Sequence, residues 1–335
     1  MFEFLGKVTL CIFTTDRHHQ LSMVIKYYSK FDLKIVILDA SLKPMEFRSS
    51  EKINYFHAPG MPLQNRLIKF AEMVKTEYIV LSPDDDFYSI YGLNKTIEFL
   101  EKNQNYSSAQ GLRIRFFDSD KFSWIPDYVK QTKLHFNQED FEFRILNMGK
   151  SMHYIYSVMR LSVYNEVTDC LSNIESKDRN SFAINELIFN YCLPVFGFHR
   201  ILPFLYQLRK SHPYLGSDIN FALWINNDQD NYSSLFKSKI KELYVHKLGI
   251  SINKADAILS NLNEHFSLKK TIPLKAKTEY KVRRITKEVF HQISLFNTAR
   301  QLRLKYFVFY SVLIIHGNLF NAIKDIKHLR NTLKN

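Results

Sequence analysis

Three consecutive carboxylates, Asp84, Asp85 and Asp86, follow the apolar run Tyr78-Ile79-Val80-Leu81 and its exit Ser82-Pro83. Like charges at adjacent positions repel, so such a cluster at the end of a buried strand calls for a cation or for full solvation. Mg2+ or Mn2+ meets that demand, because hard ions take one or two protein carboxylates together with phosphate oxygens. Alternate side chains of an extended segment share a side, which predicts Asp84 and Asp86 facing one ligand and Asp85 turned away. The competing reading is a solvated acidic turn or a helix N-terminus, where carboxylates favour the helix dipole.

Two more polar groups close apolar runs earlier in the chain. Thr14-Thr15-Asp16-Arg17 follows the stretch Val8 to Phe13, and Asp39-Ala40-Ser41 follows Lys34 to Leu38. The elements that position these groups read as successive strand and helix units. Strands are predicted at Val8 to Phe13, Lys34 to Leu38, residues 52–57 and Tyr78 to Leu81. Helices are predicted from about His19 to Ser29, Leu63 to Val74 and Tyr91 to Asn103. That order predicts an α/β fold whose sheet is mostly parallel, with helices on both faces. Ligands of open α/β sheets bind beyond the carboxyl ends of the strands, so the three polar groups should converge there.

Further along, the alternation from Gln110 to Phe117 predicts a strand with Arg113 and Arg115 on one face. The pattern weakens from Asp118 to Asn147 and reads as loops. Aromatic strands and a helix from Ser181 to Cys192 are expected between Met152 and Leu205, and from about Ser234 the reading is helical.

The succession VTLCIFTTDR, VILDAS and QNRLIKFAEMVKTEYIVLSPDDDF resembles the nucleotide-sugar-binding half of family 2-like GT-A glycosyltransferases, in particular bacterial domains whose metal strand ends in D-D-D-F. The resemblance is clear over residues 7–117 and diffuse to about 217. Phe13 stands where proline is usual, and only Asp39 is kept where two acids are common. The resemblance implies that Thr14 and Asp39 contact the nucleoside. Asp84 would lie near the ribose or metal with Asp85 beside it in the donor site, and Asp86 would coordinate the metal that bridges the diphosphate. Arg17 and Arg66 are candidates for diphosphate contacts, although Arg66 also fits a helix-surface residue.

An inverting outcome is expected, and the family then uses an acid well downstream as general base. Glu186, in SFAINELIFNY, is the candidate: a lone acid among apolar residues, where desolvation makes a carboxylate a stronger base. Asp127 and Asp178 are reserves, and a boundary glutamate on an amphipathic helix is the plainer reading. In RILPFLYQLRKSHPYLG, the resemblance points to Arg209 as a diphosphate contact and to His212 as a metal ligand, a role open to a neutral imidazole. His153 and Tyr154 could line an acceptor site or pack in the core.

Composition bounds these readings. A chain of 335 residues with 46% hydrophobic content can bury a full core. Cys11, Cys170 and Cys192 have neither the number nor the spacing of a disulfide framework or zinc knuckle, so buried thiols are expected. The N-terminal apolar stretch reads as a core strand rather than a signal peptide, which predicts a cytoplasmic protein. From residue 269 onward, 15 Lys and Arg face 3 acids, a net of +12 out of +13 that leaves +1 for all that precedes. Cations interleaved with aromatic and aliphatic residues there suit an anionic membrane surface, and residues 306–315 are too few to span a bilayer. A helical packing arm is the alternative. Nucleic acid is not expected, since no zinc finger, RNP-like segment or helix-turn-helix accompanies the charge.

The organisation expected is a GT-A catalytic domain over residues 1–233, divided at 117/118 into donor-binding and acceptor-binding halves, with a helical basic region over 234–335. The function expected is metal-dependent transfer from a nucleotide-sugar donor to a glycan or lipid-linked glycan of a bacterial surface polysaccharide, by an enzyme peripheral on the inner face of the membrane. The alternatives are a sugar-phosphate nucleotidylyltransferase, disfavoured by the missing Gly-rich phosphate loop, and a non-catalytic polyanion-binding or membrane-binding protein, which leaves Asp84 to Asp86 unexplained.

Overall fold

The computed structural model describes residues 2–47, 49–117, 122–127, 135–136, 139–149, 154–172, 182–211, 232–268, 305–307 and 309–334. Its first half follows the apolar pattern closely. Strands β1 (Val8–Thr14), β2 (Lys34–Asp39), β3 (Ile53–His57) and β4 (Tyr78–Pro83) pair in parallel in the order β3-β2-β1-β4. All seven residues of β1 are buried, as expected for a central strand covered on both faces. Helices α1 (His18–Tyr28) and α2 (Leu63–Met73) carry the chain between the parallel strands, and Gly60, in the left-handed region at φ 68°, turns it into α2.

The second half makes the sheet mixed. After β5 (Phe87–Tyr88) and α3 (Ile90–Lys102) comes the long strand β6 (Tyr106–Phe117). It pairs antiparallel with β7 (Ser123–Asp127) and later with β9 (Val158–Arg160), and parallel with β10 (Phe198–Lys210). The central path runs β3-β2-β1-β4-β9-β6-β10-β5, with β7 on β6 and β8 (His135–Phe136) on β10. The stretch expected as loops thus holds two short strands and α4 (Phe141–Gly149). Their sequences are too short and too interrupted to show a period. Trp124 opposite Phe116 and Pro126 opposite Ile114 are held by pairing to β6, and a proline is tolerated on such a short edge strand.

Two apolar clusters lie on the two faces of the sheet. One joins Cys11, Val36, Ile79 and Leu81 to α2, α5 (Leu161–Ser172) and α6 (Phe182–Cys192), and extends to α7 (Tyr232–Leu248) and α8 (Ile252–Leu268). Burying each large apolar side chain contributes roughly 1.5–3 kcal/mol relative to exposure. Cys192 is buried, and its thiol donates to the Cys170 sulfur on α5, which lowers the Cys170 pKa. The other cluster joins α1, α3 and the opposite face to Phe309, Leu313, Ala322 and Leu329 from near the chain's end.

Helix α3 lies close to β10. Ser89 caps it by accepting from the Gly92 amide at 2.8 Å, and a Cβ on Gly92 would stand 2.4 Å from the Leu205 carbonyl oxygen. The last helix, α9 (Leu319–Lys334), packs on α1 and β10. Residues 309–334 are therefore a packing arm on the sheet, whereas residues 269–304, which carry most of the basic charge, lie outside the described residues. Among the described residues no helix is long and apolar enough to cross a membrane.

Candidate active site

The carboxyl ends of β1, β2 and β4 bring the three polar groups together. Thr14 Oγ1 donates to Asp84 Oδ2 at 2.5 Å, and the Asp16 amide donates to Ser41 Oγ at 2.7 Å. Asp16 has φ 54°, a left-handed conformation that Asp tolerates better than most residues, and this turns the chain so that the next side chain meets the acidic cluster. Arg17 Nη1 lies 3.1 Å from Asp84 Oδ1, and its Nη2 pairs with Asp85 Oδ2. Burial works against the Arg17 charge, but Asp84 and Asp85 outweigh it and raise the pKa.

The expected alternation within the acidic cluster fails. Asp84 and Asp85 both turn to Arg17, while Asp86 turns the other way, toward β10. The residues leave the strand at Pro83, so the period of two no longer governs them. Asp86 Oδ2 accepts from Gln207 Nε2 at 3.0 Å and Oδ1 from the Lys210 amide at 3.1 Å. Burial pushes the Asp84 carboxyl up to about 6, against the Thr14 hydrogen bond and the Arg17 charge. Burial and then the Asp85 charge push Asp86 up to about 7, with Arg209 and Arg113 pulling the other way.

Asp39 sits at the end of β2, wholly buried. Its Oδ1 accepts from the Ser41 amide at 2.8 Å and from the Ser41 hydroxyl. Its Oδ2 accepts from Tyr55 OH at 2.6 Å and lies 2.9 Å from His18 Nε2. Burial raises this carboxyl, yet the hydrogen bonds from Ser41, Tyr55 and His18 prevail and hold it below the ordinary value. Arg66 is no surface residue. It is buried, donates from Nη1 to the Thr14 carbonyl at 2.6 Å, and has its pKa lowered by burial to about 10 despite the charges of Asp84 and Asp39.

Between these groups opens a cleft of about 210 Å3 lined by Phe13, Thr14, Thr15, Arg17, Leu63, Arg66, Pro83 and Asp84. It is walled by two guanidinium groups and one carboxylate, a lining suited to an anionic group. Tyr156 is buried within electrostatic reach of Glu186, Arg209, Asp86 and Arg113. Glu186 is itself buried, at 4% exposure on α6, and shares the buried Tyr156 as a neighbour with Asp86.

Of the remaining candidates, Tyr154 is buried with its ring 4.6 Å from that of His199, a core position. His153, Asp178 and His212 lie outside the described residues, as does the side chain of Asp127. Among the described residues no group of three or more His, Cys, Asp or Glu side chains forms a ready metal cage.

Gln207, Tyr156, His18, Tyr55 and Arg113 were not assigned to the site by sequence. Only Gln207 had a visible signal: it precedes Arg209 by two and so shares its side of an extended strand. Tyr55 and His18 reach Asp39 from other elements, which no local pattern encodes.

No protein-family model matches the sequence, and no curated protein matches it either. Solved structures do match. The crystal structure of S. aureus TarS residues 1–349 aligns with a TM-score of 0.51 at 12% identity, over 98% of this chain and 90% of that one. TarS 1–349 in complex with UDP-GlcNAc gives 0.50 at 14% identity with the same coverage, and its complex with UDP gives 0.50 at 11%. The chain has the α/β fold of the GT-A type. At such identities the likeness speaks for the fold, and residue roles rest on the geometry above.

Proposed function

We propose that this chain is a glycosyltransferase that moves a sugar from a nucleoside-diphosphate donor to a glycan or lipid-linked glycan acceptor, with inversion, in the synthesis of a bacterial surface polysaccharide such as lipooligosaccharide, O-antigen or capsule. The observation that carries the reading is the convergence of Thr14, Arg17, Arg66 and Asp84 on one cleft at the carboxyl ends of β1 and β4, with the buried Asp39 at the end of β2 within electrostatic reach of Arg66. The similar fold of TarS, crystallised with UDP-GlcNAc and with UDP, supports a uridine nucleotide as the first donor to try.

In this reading Asp39, held ionised by Ser41, Tyr55 and His18, meets the nucleoside by giving up one of those hydrogen bonds, and Thr14 is paired beside it on β1. Arg17 and Arg66 face the diphosphate. The acidic cluster fits Mn2+ or Mg2+. Its donors are hard oxygens, and Asp86, with one hydrogen bond on each oxygen, keeps a lone pair on each for an ion. Such an ion, when bound, neutralises the diphosphate as the glycosidic bond breaks. Asp84 and Asp85 would hold the donor or the ion only on release of Arg17, whose guanidinium would then be free for phosphate. Arg209 and Arg113 draw Asp86 toward its ionised form against its burial and the Asp85 charge. Glu186 takes the proton of the acceptor hydroxyl, a step worth about 10² to 10⁴ in rate for a positioned base.

The test is a binding and turnover screen of UDP-, GDP-, CMP- and dTDP-sugars with and without Mn2+. Metal-dependent turnover of one diphosphate donor, lost in Asp86→Ala, is the expected result. Equal turnover by wild type and Asp86→Ala in EDTA would overturn the metal role, and no binding of any nucleotide sugar would overturn the function.

A further inference from the structure

The C-terminal arm buries one face against the sheet and leaves an apolar corner in water. Phe309 and Leu313 are buried, whereas Phe307, Ile314, Ile315 and Phe320 are each 60% or more exposed. The corner is a fixed shape. The helix ending at residue 315 is closed by Gly317 at φ 67°, with the Gly317 amide donating to the Ile314 carbonyl at 3.0 Å and the Asn318 amide to the Leu313 carbonyl at 2.7 Å. This pairing is the Schellman cap, in which a left-handed glycine ends the helix at one angle. Asn318 then fastens the turn to the sheet side, accepting from Tyr91 OH at 2.8 Å and donating to the Pro203 carbonyl at 2.9 Å.

Exposed charge on the arm itself has one sign among its described residues. Lys305, Lys324, Lys327 and Arg330 are exposed. The sole acid of residues 305–334, Asp325, turns inward to accept from Ser89. Several large apolar side chains exposed close together and rimmed by polar residues mark an interaction surface. A second copy docking on it by a two-fold would set these cations against their equivalents, which like-charge repulsion disfavours. A nucleic acid would leave the isoleucines and phenylalanines without an apolar partner.

We infer that this corner docks on an anionic lipid bilayer, with Ile314, Ile315 and Phe320 entering the headgroup–acyl boundary and the flanking lysines and arginine facing the lipid charge. Short apolar insertion combined with a basic rim is how an interfacial helix holds a membrane, and each element alone is weak. The arm is joined to the start of α3 at Ser89, three residues after Asp86, so docking also fixes how the donor cleft faces the bilayer.

The experiment is co-sedimentation of the full chain with vesicles of pure phosphatidylcholine and of phosphatidylcholine with 30% phosphatidylglycerol (about that fraction gives a strongly anionic surface), at low and high salt. Wild type should bind the anionic vesicles and release them as salt is raised. The triple variant Ile314→Ser, Ile315→Ser and Phe320→Ser should bind at least about tenfold more weakly, since roughly three exposed side chains lose their apolar transfer. Lys324→Glu with Lys327→Glu should cost a further fall of about tenfold or more, through two lost cations.

Circular dichroism of each variant checks that the fold persists, which is expected because all substituted side chains face water. Undiminished vesicle binding by the triple variant, absence of binding by wild type, or a concentration-dependent dimer broken by the triple variant would each overturn the inference. Donor turnover in solution, measured without vesicles, is read separately and is unaffected by these variants, so the catalytic and membrane readings can fail independently.

Discussion

Asp86, just beyond β4, is held by Gln207 of β10, its Oδ2 accepting from the side-chain amide at 3.0 Å across 121 positions of sequence. This bond closes the sheet's two halves around the acidic cluster and aims the third carboxylate away from its two neighbours. Gln207→Leu should therefore lower turnover by roughly tenfold through loss of one aligning hydrogen bond, while Gln207→Glu, which sets a second carboxylate beside Asp86, should be worse. Steady-state kinetics with the cognate donor, at matched thermal stability, measures this; equal rates for wild type and Gln207→Leu would show that Asp86 needs no such support.

Glu186→Gln should lower kcat by a factor of about 10² to 10⁴ and leave donor affinity nearly unchanged. The amide keeps the side chain's size in its buried place on α6, so folding should survive. A loss of donor binding equal to the loss of rate would assign Glu186 to the donor site instead.

Burial raises the Asp325 carboxyl from 3.8 to about 6 in the folded chain. The folded state then holds a proton that the unfolded state has released, so the stabilisation is fully present below pH 3.8 and is lost as pH rises through about 6. His199 opposes this trend in the whole protein, since burial lowers it to about 3 and its contribution is lost as pH falls below its unfolded value. A difference between variants separates the two. Asp325→Asn should gain stability on wild type as pH rises from 4 to 7, by roughly 2–3 kcal/mol at most, and should match it near pH 4. Urea unfolding midpoints at both pH values provide the check, and a difference independent of pH would contradict the assignment.

Gly92→Ala should destabilise the protein by roughly 1–3 kcal/mol, the usual cost of overpacking. The added Cβ would stand 2.4 Å from the Leu205 carbonyl oxygen and 2.9 Å from the Tyr206 Cα, both backbone atoms that cannot rotate away. Alanine is otherwise the better helix former, so a stabilised variant in thermal unfolding would mean that α3 and β10 are not packed this closely.

The sequence by itself determined the parallel half of the fold and the place of its polar groups. Strands such as Ile35 to Leu38 and Tyr78 to Leu81 are unbroken apolar runs because they are covered on both faces, and the residues that end them fall at the sheet's carboxyl edge. Thr14, Asp39 and Asp84 were legible for that reason. Tertiary structure alone decided the rest. Strands β7 and β8 exist through pairing with longer neighbours, and Asp86 faces β10 because the chain has left the strand. Arg66 is buried because the end of β1 offers it the Thr14 carbonyl. In the tail, composition showed cations and aromatic residues but not which of them meet the sheet. A helix presents one face to its neighbour, and only the packed arm shows that Phe309 and Leu313 are inside while Ile314 and Ile315 are left to water.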